Sequence, residues 1–169
     1  MTILVTGGSG YIGSHCVYTL LDAGYDVVVF DNLSNSTLEP LARIERMSGK
    51  KITFIKGDLC RLQDLNATFR KYNISSVIHF AGLKAVKDSV TSPLEYYRNN
   101  VHGTINLLDT MARFGVYNLI FSSSATVYGQ DQPLPYTEEL EIGKPSSPYG
   151  ATKAVVEQIL LDLSVSTDK

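Results

Sequence analysis

Short continuous apolar runs alternate with stretches of helical periodicity along most of the chain. The runs fall at residues 3–5, 27–30, 52–55, 77–80 and 119–121. Continuous rather than alternating apolar runs are typical of parallel strands that helices cover on both faces. Strands and helices that alternate at this spacing predict a doubly wound, Rossmann-like α/β sheet flanked by helices, with residues 1–169 as one nucleotide-binding domain.

Three apolar helix faces and a final helix are predicted from residues that recur every three or four positions. The three faces comprise Ile12, Cys16, Leu20 and Ala23; Leu62, Leu65 and Phe69; and Tyr97, Val101, Ile105, Leu108 and Ala112. The final helix is expected to start after Ser147 as N-cap, with Pro148 in its first position, and to run almost to Lys169. Its predicted apolar face comprises Val155, Ile159 and Leu163. Residues 125–147 show no period, and so long a connection predicts a functional segment.

The composition narrows the class of partner. Of the 169 residues, 44% are hydrophobic and 19% are charged, and the net charge of −2 gives no reason to expect nucleic acid or an anionic membrane as a partner. No apolar run approaches the roughly 18 residues of a membrane span. Cys16 and Cys60 match no disulfide framework, the three histidines have no metal-ligand spacing, and no signal peptide is found. We therefore expect a reduced, cytoplasmic, metal-free protein with a small-molecule ligand.

A glycine-rich turn, TGGSGYIG at residues 6–13, follows the first predicted strand and precedes the first helix. Gly7 would allow the tight turn, Gly10 the approach of a pyrophosphate, and Gly13 close helix packing. Asp31 ends the second strand, where a carboxylate accepts hydrogen bonds from the adenosine ribose and repels a 2′-phosphate, which favours NAD over NADP. The alternatives are an ordinary turn and a merely polar strand end.

Further polar residues follow the third and fourth strands at the same predicted edge of the sheet. Asp58 would accept from the adenine amino group, Gly82 would let the backbone approach the cofactor, and Lys84 would reach the nicotinamide ribose or a phosphate. Each is equally consistent with an ordinary loop feature. Asn99 and Asn100 begin the long third helix, where their amides would either brace a loop or contact a ligand.

Tyr149 and Lys153 lie four residues apart at the start of the last predicted helix, so they share a face. An ammonium group beside a phenol favours the phenolate, and lowering the pKa of a tyrosine from about 10 to about 7 requires roughly 4 kcal/mol. Tyr149 is therefore a candidate acid–base group. Ser124, after the fifth strand, would share the proton of a substrate hydroxyl. The alternative is a tyrosine and a lysine on a surface helix.

Seven motifs in order carry a family resemblance: TGGSGYIGSH, DNLSNS, GDL, HFAGLKAV, NNV, SSSATVYG and SPYGATK. Together they resemble the extended short-chain dehydrogenase/reductase family, and within it the nucleotide-sugar epimerases. The resemblance implies NAD contacts from Tyr11, Ile12, Asp31, Asn32, Asn35, Ser36, Asp58, Leu59, Phe80, Ala81, Gly82, Lys84, Asn99, Ser122, Tyr149 and Lys153. It also implies substrate contacts from Ser124, Tyr149 and Thr126.

The implied activity is that of an isomerase which interconverts UDP-glucose and UDP-galactose by transient oxidation at carbon 4, as part of galactose metabolism. The related nucleotide-sugar dehydratases carry Thr-Asp-Glu where this chain has Ser124, Ala125 and Thr126, which argues against dehydration. A homodimer through the helices near residues 94–114 and 149–166 is also implied. A helix that faces the core would show the same apolar stripe of Tyr97, Val101, Ile105 and Leu108.

One expectation concerns the length of the chain. The resembling enzymes have a further carboxyl-terminal domain that binds the uridine diphosphate, and we expect the 169 residues to lack it and to have little activity alone. The open alternatives are another extended short-chain reductase or nucleotide-sugar modifying enzyme, and a non-catalytic NAD-binding module.

Overall fold

The computed structural model describes residues 1–130 and 132–166, and its first element is a strand of a five-stranded sheet. The strands are β1 (Thr2–Thr6), β2 (Asp26–Asp31), β3 (Thr53–Lys56), β4 (Ile74–His79) and β5 (Leu119–Phe121). All pairings are parallel, in the order β3-β2-β1-β4-β5. The chain winds outward from β1 in both directions, so the predicted doubly wound, Rossmann-like sheet is confirmed.

Helices connect and follow these strands. They are α1 (Tyr11–Asp22), α2 (Glu39–Ser48), α3 (Leu62–Lys71), α4 (Val86–Thr91), α5 (Pro93–Tyr96), α6 (Gly103–Arg113) and α7 (Pro148–Ser166), with a π-helical segment at Tyr97–His102 and a 3₁₀ turn at Ala125–Tyr128. The short α4 is not predicted by the apolar pattern, because six residues are too few to show a period. Within the described residues, no helix combines the length and apolar character that a membrane crossing requires.

The described residues form two compact units. The sheet unit comprises residues 1–81 and 106–122, and the helical unit comprises residues 82–105 and 123–166. The assignment of residues 1–169 to a single nucleotide-binding domain stays a prediction.

The sheet unit has an apolar core on each face of the sheet. One core holds Leu4, Val28, Phe30, Leu59, Leu65, Phe69, Ile74, Val77, Leu107, Met111 and Val116. The other holds Ile3, Val5, Val17, Leu21, Val27, Val29, Leu41, Ile44 and Ile78. Consecutive residues of β1 and β2 fall in opposite cores because side chains alternate along a strand, which explains why these strands read as continuous apolar runs.

The predicted apolar face of α1 is correct only in part. Cys16 and Leu20 pack against the core, but the fully buried residues include Gly13, Val17 and Leu21, and the predicted Ile12 is 60% exposed. The reason lies in the turn before the helix: a Cβ on Gly13 would lie 2.3 Å from the carbonyl oxygen of Gly7. The side of α1 that carries Gly13 must therefore face the turn, and the apolar face rotates with it.

The long third helix buries a different face from its predicted apolar stripe. The helix near residues 94–114 consists of α5, the π-helical segment and α6, and its buried positions include Asn100, Thr104, Leu107 and Met111. Two of these are polar, and their side chains form hydrogen bonds. Because the pattern of apolar residues takes no account of polar side chains, it cannot identify a buried face that includes hydrogen-bonded polar residues. The predicted stripe is left partly exposed, with Ile105 38% exposed.

The last helix begins as predicted, but its buried face differs. The Ser147 hydroxyl accepts a hydrogen bond from the Gly150 amide (3.2 Å), and Pro148 is the first residue of α7. The buried residues are Gly150, Thr152, Lys153 and Val156, whereas the predicted Val155 and Leu163 are 39% and 42% exposed. The pattern missed this face because it contains a threonine and a lysine. The predicted approach of the helix to Lys169 lies outside the described residues.

Candidate functional site

The glycine turn in the sheet unit crosses the backbone that leaves β4. Gly7 has φ +70°, and a Cβ there would lie 2.6 Å from the amide nitrogen of Ala81. The Phe80 amide donates to the carbonyl oxygen of Thr6 (2.9 Å), which fixes this approach. Both the backbone angle and the close approach therefore require glycine at position 7.

The start of α1 offers unpaired amides and open space. The N-cap, Gly10, has no side chain to accept hydrogen bonds from the first helical amides, and a Cβ on it would meet just the Gly7 oxygen, at 3.3 Å. Tyr11 and Ile12 are 75% and 60% exposed. An uncapped helix N-terminus with open space in front of its amides is suited to bind an anion such as pyrophosphate.

Ser9 supplies an unsatisfied polar group within the same turn. Its side chain is 1% exposed, and its hydroxyl has no hydrogen-bond partner among the described residues. A buried hydroxyl without a partner costs about 1–3 kcal/mol. The turn is therefore built in a way that fits the arrival of a polar ligand.

Asp31 organises the loop that follows β2. One carboxylate oxygen accepts from the Ser9 amide (3.1 Å), and the other accepts from the Leu33 amide (2.9 Å) and the Ser36 hydroxyl (3.0 Å). A carboxylate offers about four acceptor positions, so one remains for a ribose hydroxyl. The sequence does not reveal the internal role of Ser36, whose hydroxyl is directed to Asp31.

The other candidates in the sheet unit follow β2, β3, β4 and β5. Asn32 donates to the Asp58 carboxylate (3.4 Å), which also accepts from the Cys60 amide (2.9 Å). The Leu59 side chain is buried in the core, and Asn35 is exposed. The Ser122 amide donates to the carbonyl of His79 (3.1 Å), which places it beside the end of β4.

His79, which the sequence treats as structural, braces this edge. The Thr6 hydroxyl lies 2.6 Å from His79 Nδ1, and the same hydroxyl oxygen accepts from the Ala81 amide at 3.5 Å. The Thr6 hydroxyl therefore links the His79 ring to the backbone that follows β4. Among the described residues, no group of His, Cys, Asp and Glu side chains is placed to hold a metal ion.

In the helical unit, Asn100 rather than Asn99 braces a loop. The Asn100 amide oxygen accepts from the Leu83 amide (2.8 Å), and its nitrogen donates to the Leu83 carbonyl (2.9 Å) and to Thr152 Oγ1 (3.1 Å). The segment between Gly82 and Lys84 is thus tied to α7. Lys84 is exposed and Asn99 is half-buried.

Ser124 and Thr126 lie beside the first turn of α7. Ser124 caps the 3₁₀ turn, with its hydroxyl accepting from the Thr126 amide (3.3 Å) and the Thr126 hydroxyl (3.0 Å). A Cβ on Gly150 would lie 3.0 Å from the Thr126 carbonyl oxygen. The structure therefore brings both predicted substrate residues close to the helix start that carries Tyr149.

Tyr149 and Lys153 occupy successive turns of α7. Tyr149 is half-buried and Lys153 is 6% exposed. Burial lowers the pKa of Lys153 from its ordinary value of 10.5 to about 8, and the negative charge of Glu157 opposes this effect. The ammonium group is thus held in an environment where its charge acts strongly on nearby groups.

Tyr96 is a neighbour of Tyr149 that the sequence does not reveal. Its side chain is 3% exposed, and its hydroxyl donates to the carbonyl of Ala85 (2.7 Å). Burial raises the pKa of Tyr96, and electrostatic interaction with Asp88, Glu95 and Tyr149 raises it further, against the lowering effect of its bond to Ala85. Nothing in the local sequence distinguishes this buried tyrosine from the adjacent Tyr97, which is 39% exposed.

Comparisons with known proteins extend over nearly the whole chain. Residues 4–168 match the family model described as GDP-mannose 4,6 dehydratase. A UDP-glucose 4-epimerase of Erwinia amylovora is 57% identical over 96% of this chain, and one of Bacillus subtilis is 50% identical over 100% of it. The chain spans 48% and 50% of the length of these relatives, respectively.

Solved structures give the same result. The UDP-glucose 4-epimerase of Bifidobacterium longum, in complex with NAD+ and UDP, superposes with a TM-score of 0.96 at 47% identity, over 98% of this chain and 50% of that one. The Thermus thermophilus enzyme, in complex with NAD, gives 0.89 at 35% identity, over 98% and 51%. The similarity therefore covers the described fold and about half of each known enzyme.

Proposed function

The chain belongs to the GDP-mannose 4,6 dehydratase family of extended short-chain dehydrogenases/reductases, and we propose that it is the NAD-binding part of a UDP-glucose 4-epimerase. The observation that carries this proposal is a half-buried Tyr149 one helical turn before a buried Lys153, in a chain similar to these epimerases throughout. The full-length protein would interconvert UDP-glucose and UDP-galactose, and thereby act in galactose metabolism.

The residues of the glycine turn fit NAD. The unpartnered Ser9 hydroxyl, the bare amides after Gly10 and the remaining acceptor position of Asp31 suit the pyrophosphate and the adenosine ribose. The other proposed contacts are Gly7, Tyr11, Ile12, Gly13, Asn32, Asn35, Ser36, Asp58, Leu59, Phe80, Ala81, Gly82, Lys84, Asn99, Ser122, Tyr149 and Lys153. When bound, NAD supplies the hydride acceptor for carbon 4 of the sugar and afterwards returns the hydride.

The side chains of the helical unit supply the proton chemistry. Tyr149 accepts the proton of the hydroxyl on carbon 4, and the Ser124 hydroxyl shares the hydrogen bond to that oxygen. The Lys153 ammonium stabilises the phenolate that this role needs. Thr126 is a further substrate contact.

The residues that follow Ser124 favour an epimerised over a dehydrated product. The sugar, oxidised to a ketone at carbon 4, turns about its pyrophosphate link and is reduced on its other face, so no net redox change results. Ala125 and Thr126 have no carboxylate with which to eliminate water, and Thr126 is bonded to Ser124. We therefore favour epimerisation over the dehydration for which the family model is named.

A homodimer and a cytoplasmic location complete the proposal. Tyr97, Ile105, Val155 and Leu163 expose 38–42% of their surfaces on the helices near residues 94–114 and 149–166, as a subunit interface would require. Ile105→Glu is expected to shift the sedimentation mass from dimer to monomer, whereas Met47→Glu, at a 72% exposed position on α2, is not.

The two free cysteines fit a reducing compartment.

The activity is tested in the full-length protein by following UDP-galactose conversion to UDP-glucose with NAD and no added reductant. Tyr149→Phe should lower kcat by at least about 100-fold because it removes the acid–base group. Tyr25→Phe, the same change at a 42% exposed position, should leave kcat unchanged. Turnover of Tyr149→Phe within a few-fold of the parent would exclude the proposed role.

The choice of cofactor has its own test. Titration of NAD and NADP into the full-length protein should give at least about tenfold weaker binding of NADP, because its 2′-phosphate would meet the Asp31 carboxylate. Equal affinities would remove the role assigned to Asp31.

A further inference from the structure

A third ionisable residue extends the line of Tyr149 and Lys153 along α7. Glu157 lies four residues beyond Lys153, so the three side chains occupy successive turns on one face of the helix. Its carboxylate is half-buried. The phenol, the ammonium and the carboxylate thus form a row with the positive charge in the middle.

Ser123 holds this carboxylate in place. The Ser123 hydroxyl donates a hydrogen bond to Glu157 Oε1. Ser123 directly precedes Ser124, whose hydroxyl accepts from both the amide and the hydroxyl of Thr126. A glutamate on a helix surface would otherwise move freely among rotamers, so the bond fixes the carboxylate at a constant distance from its neighbours.

We propose that Glu157, held by Ser123, is a positioning residue whose carboxylate keeps the buried Lys153 ammonium charged at neutral pH. This inference rests on the proposed role of Lys153 beside Tyr149. Lys153 is 6% exposed, and burial acts against its charge. Glu157 is the negative group that opposes that effect, and without it a larger fraction of Lys153 would be neutral and unable to favour the phenolate.

Other ionisable groups lie on the elements packed against α7. They are Lys87 and Asp88 on α4, Glu95 and Tyr96 on α5, Tyr97, Arg98 and His102 on the π-helical segment, and Tyr128 in the 3₁₀ turn. All of them are unchanged when Glu157 alone is substituted. A comparison of single substitutions on α7 therefore isolates the effect of the Glu157 charge.

The direct test is a titration of Lys153 in the full-length protein labelled with [ε-¹³C]lysine, with the Lys153 signal identified by its loss in Lys153→Met. In Glu157→Gln the titration midpoint should fall by about half to one pH unit, the size expected for a charge one helical turn away. Glutamine keeps the oxygen that accepts from Ser123, so a purely structural role of Glu157 predicts no change.

Two control variants bound the result. Asp162→Asn removes the same charge from an exposed carboxylate on α7 that accepts from Gln158 (2.8 Å), and it should leave the Lys153 midpoint unchanged. Ser123→Ala should lower the midpoint by less than Glu157→Gln, because the charge remains but is no longer held. A midpoint in Glu157→Gln within about 0.2 pH units of the parent, or an equal fall in Asp162→Asn, would overturn the inference.

Measurements of activity distinguish a failure of this inference from a failure of the proposed function. In Glu157→Gln the alkaline limb of the pH–kcat profile for UDP-galactose conversion should move to lower pH by the same amount as the midpoint, and an unmoved limb would contradict the inference. If the parent protein converts no UDP-galactose, the proposed function fails, while a fall in the Lys153 midpoint still supports the action of Glu157 on Lys153.

Discussion

The glycine turn of the sheet unit and the start of α7 in the helical unit are built on opposite principles. Around Gly7 and Gly13 the essential atoms are backbone atoms, and side chains are excluded because a Cβ would lie 2.3–2.6 Å from them. At α7 the essential atoms belong to side chains, including an ammonium group whose pKa burial lowers to about 8. The first region is specified by steric exclusion and the second by charge.

This difference determines how each region should respond to substitution. A steric site fails abruptly when one methyl group is added, and it does so at every pH. An electrostatic site changes gradually, and its stability and activity depend on pH because its central group titrates near neutrality.

The largest effect is expected at Gly7. Gly7→Ala combines a positive φ with a Cβ 2.6 Å from the Ala81 amide, so it should lower the free energy of unfolding by about 3–5 kcal/mol and weaken NAD binding at least about 100-fold. Chemical denaturation and calorimetric titration measure the two effects.

Gly24 provides the matched control for Gly7. It also has a positive φ, of +87°, but a Cβ there would meet nothing within 4 Å. Gly24→Ala should therefore cost just the backbone strain, about 1–2 kcal/mol, and leave NAD binding intact. Equal losses in the two variants would show that backbone angle, not exclusion of side chains, specifies the turn.

The next effect concerns the side-chain brace in the helical unit. Asn100→Ala leaves the half-buried Leu83 amide and carbonyl without the partners they have in the parent, so stability should fall by about 2–3 kcal/mol. Asn66→Ala, which removes an exposed bond to Arg113, should cost less than about 0.5 kcal/mol. If denaturation curves of the two variants coincide, Asn100 does not brace the loop.

The last effect has the opposite sign. Lys153 has a pKa of about 8 in the folded chain and about 10.5 when unfolded, so the unfolded state binds its proton more tightly and the charge destabilises the fold below pH 8. Lys153→Met should raise the free energy of unfolding at pH 7 by up to about 3 kcal/mol, which is the equivalent of that fall in pKa. The gain should shrink as pH rises from 8 to 10.5, because the folded parent is then neutral and the unfolded parent binds its proton less and less.

Denaturation of the parent and Lys153→Met at several pH values measures this gain. A constant difference between about pH 7 and pH 10.5 would show that Lys153 is not held in a charge-disfavouring environment. The same variant should abolish epimerisation, so a lysine that lowers stability would be retained for its chemistry.

The two regions also differed in how well the sequence predicted them. The glycine turn and the strand runs were predicted at the correct positions, because backbone constraints leave a direct trace in residue type. The apolar faces predicted for α1, α6 and α7 are not the faces that these helices bury most completely. Their buried sides include Gly13, Asn100, Thr104 and Lys153, and an apolar period cannot detect such residues.

The sequence also did not predict most hydrogen-bond partners of the site residues. The bond between Ser123 and Glu157 joins residues far apart in sequence through tertiary packing. Ser147 was predicted as the cap of α7 because its partner, Gly150, is three residues away. Local chemistry is readable from sequence, whereas contacts over tens of residues require the structure.

Transient oxidation at carbon 4 is tested most directly by the fate of the hydrogen on that carbon. Full-length protein with NAD should convert UDP-[4-²H]galactose into UDP-glucose that keeps deuterium at carbon 4, detected by mass spectrometry and NMR, because the same hydride leaves and returns. Loss of the deuterium to solvent, or a dehydrated product, would contradict the account.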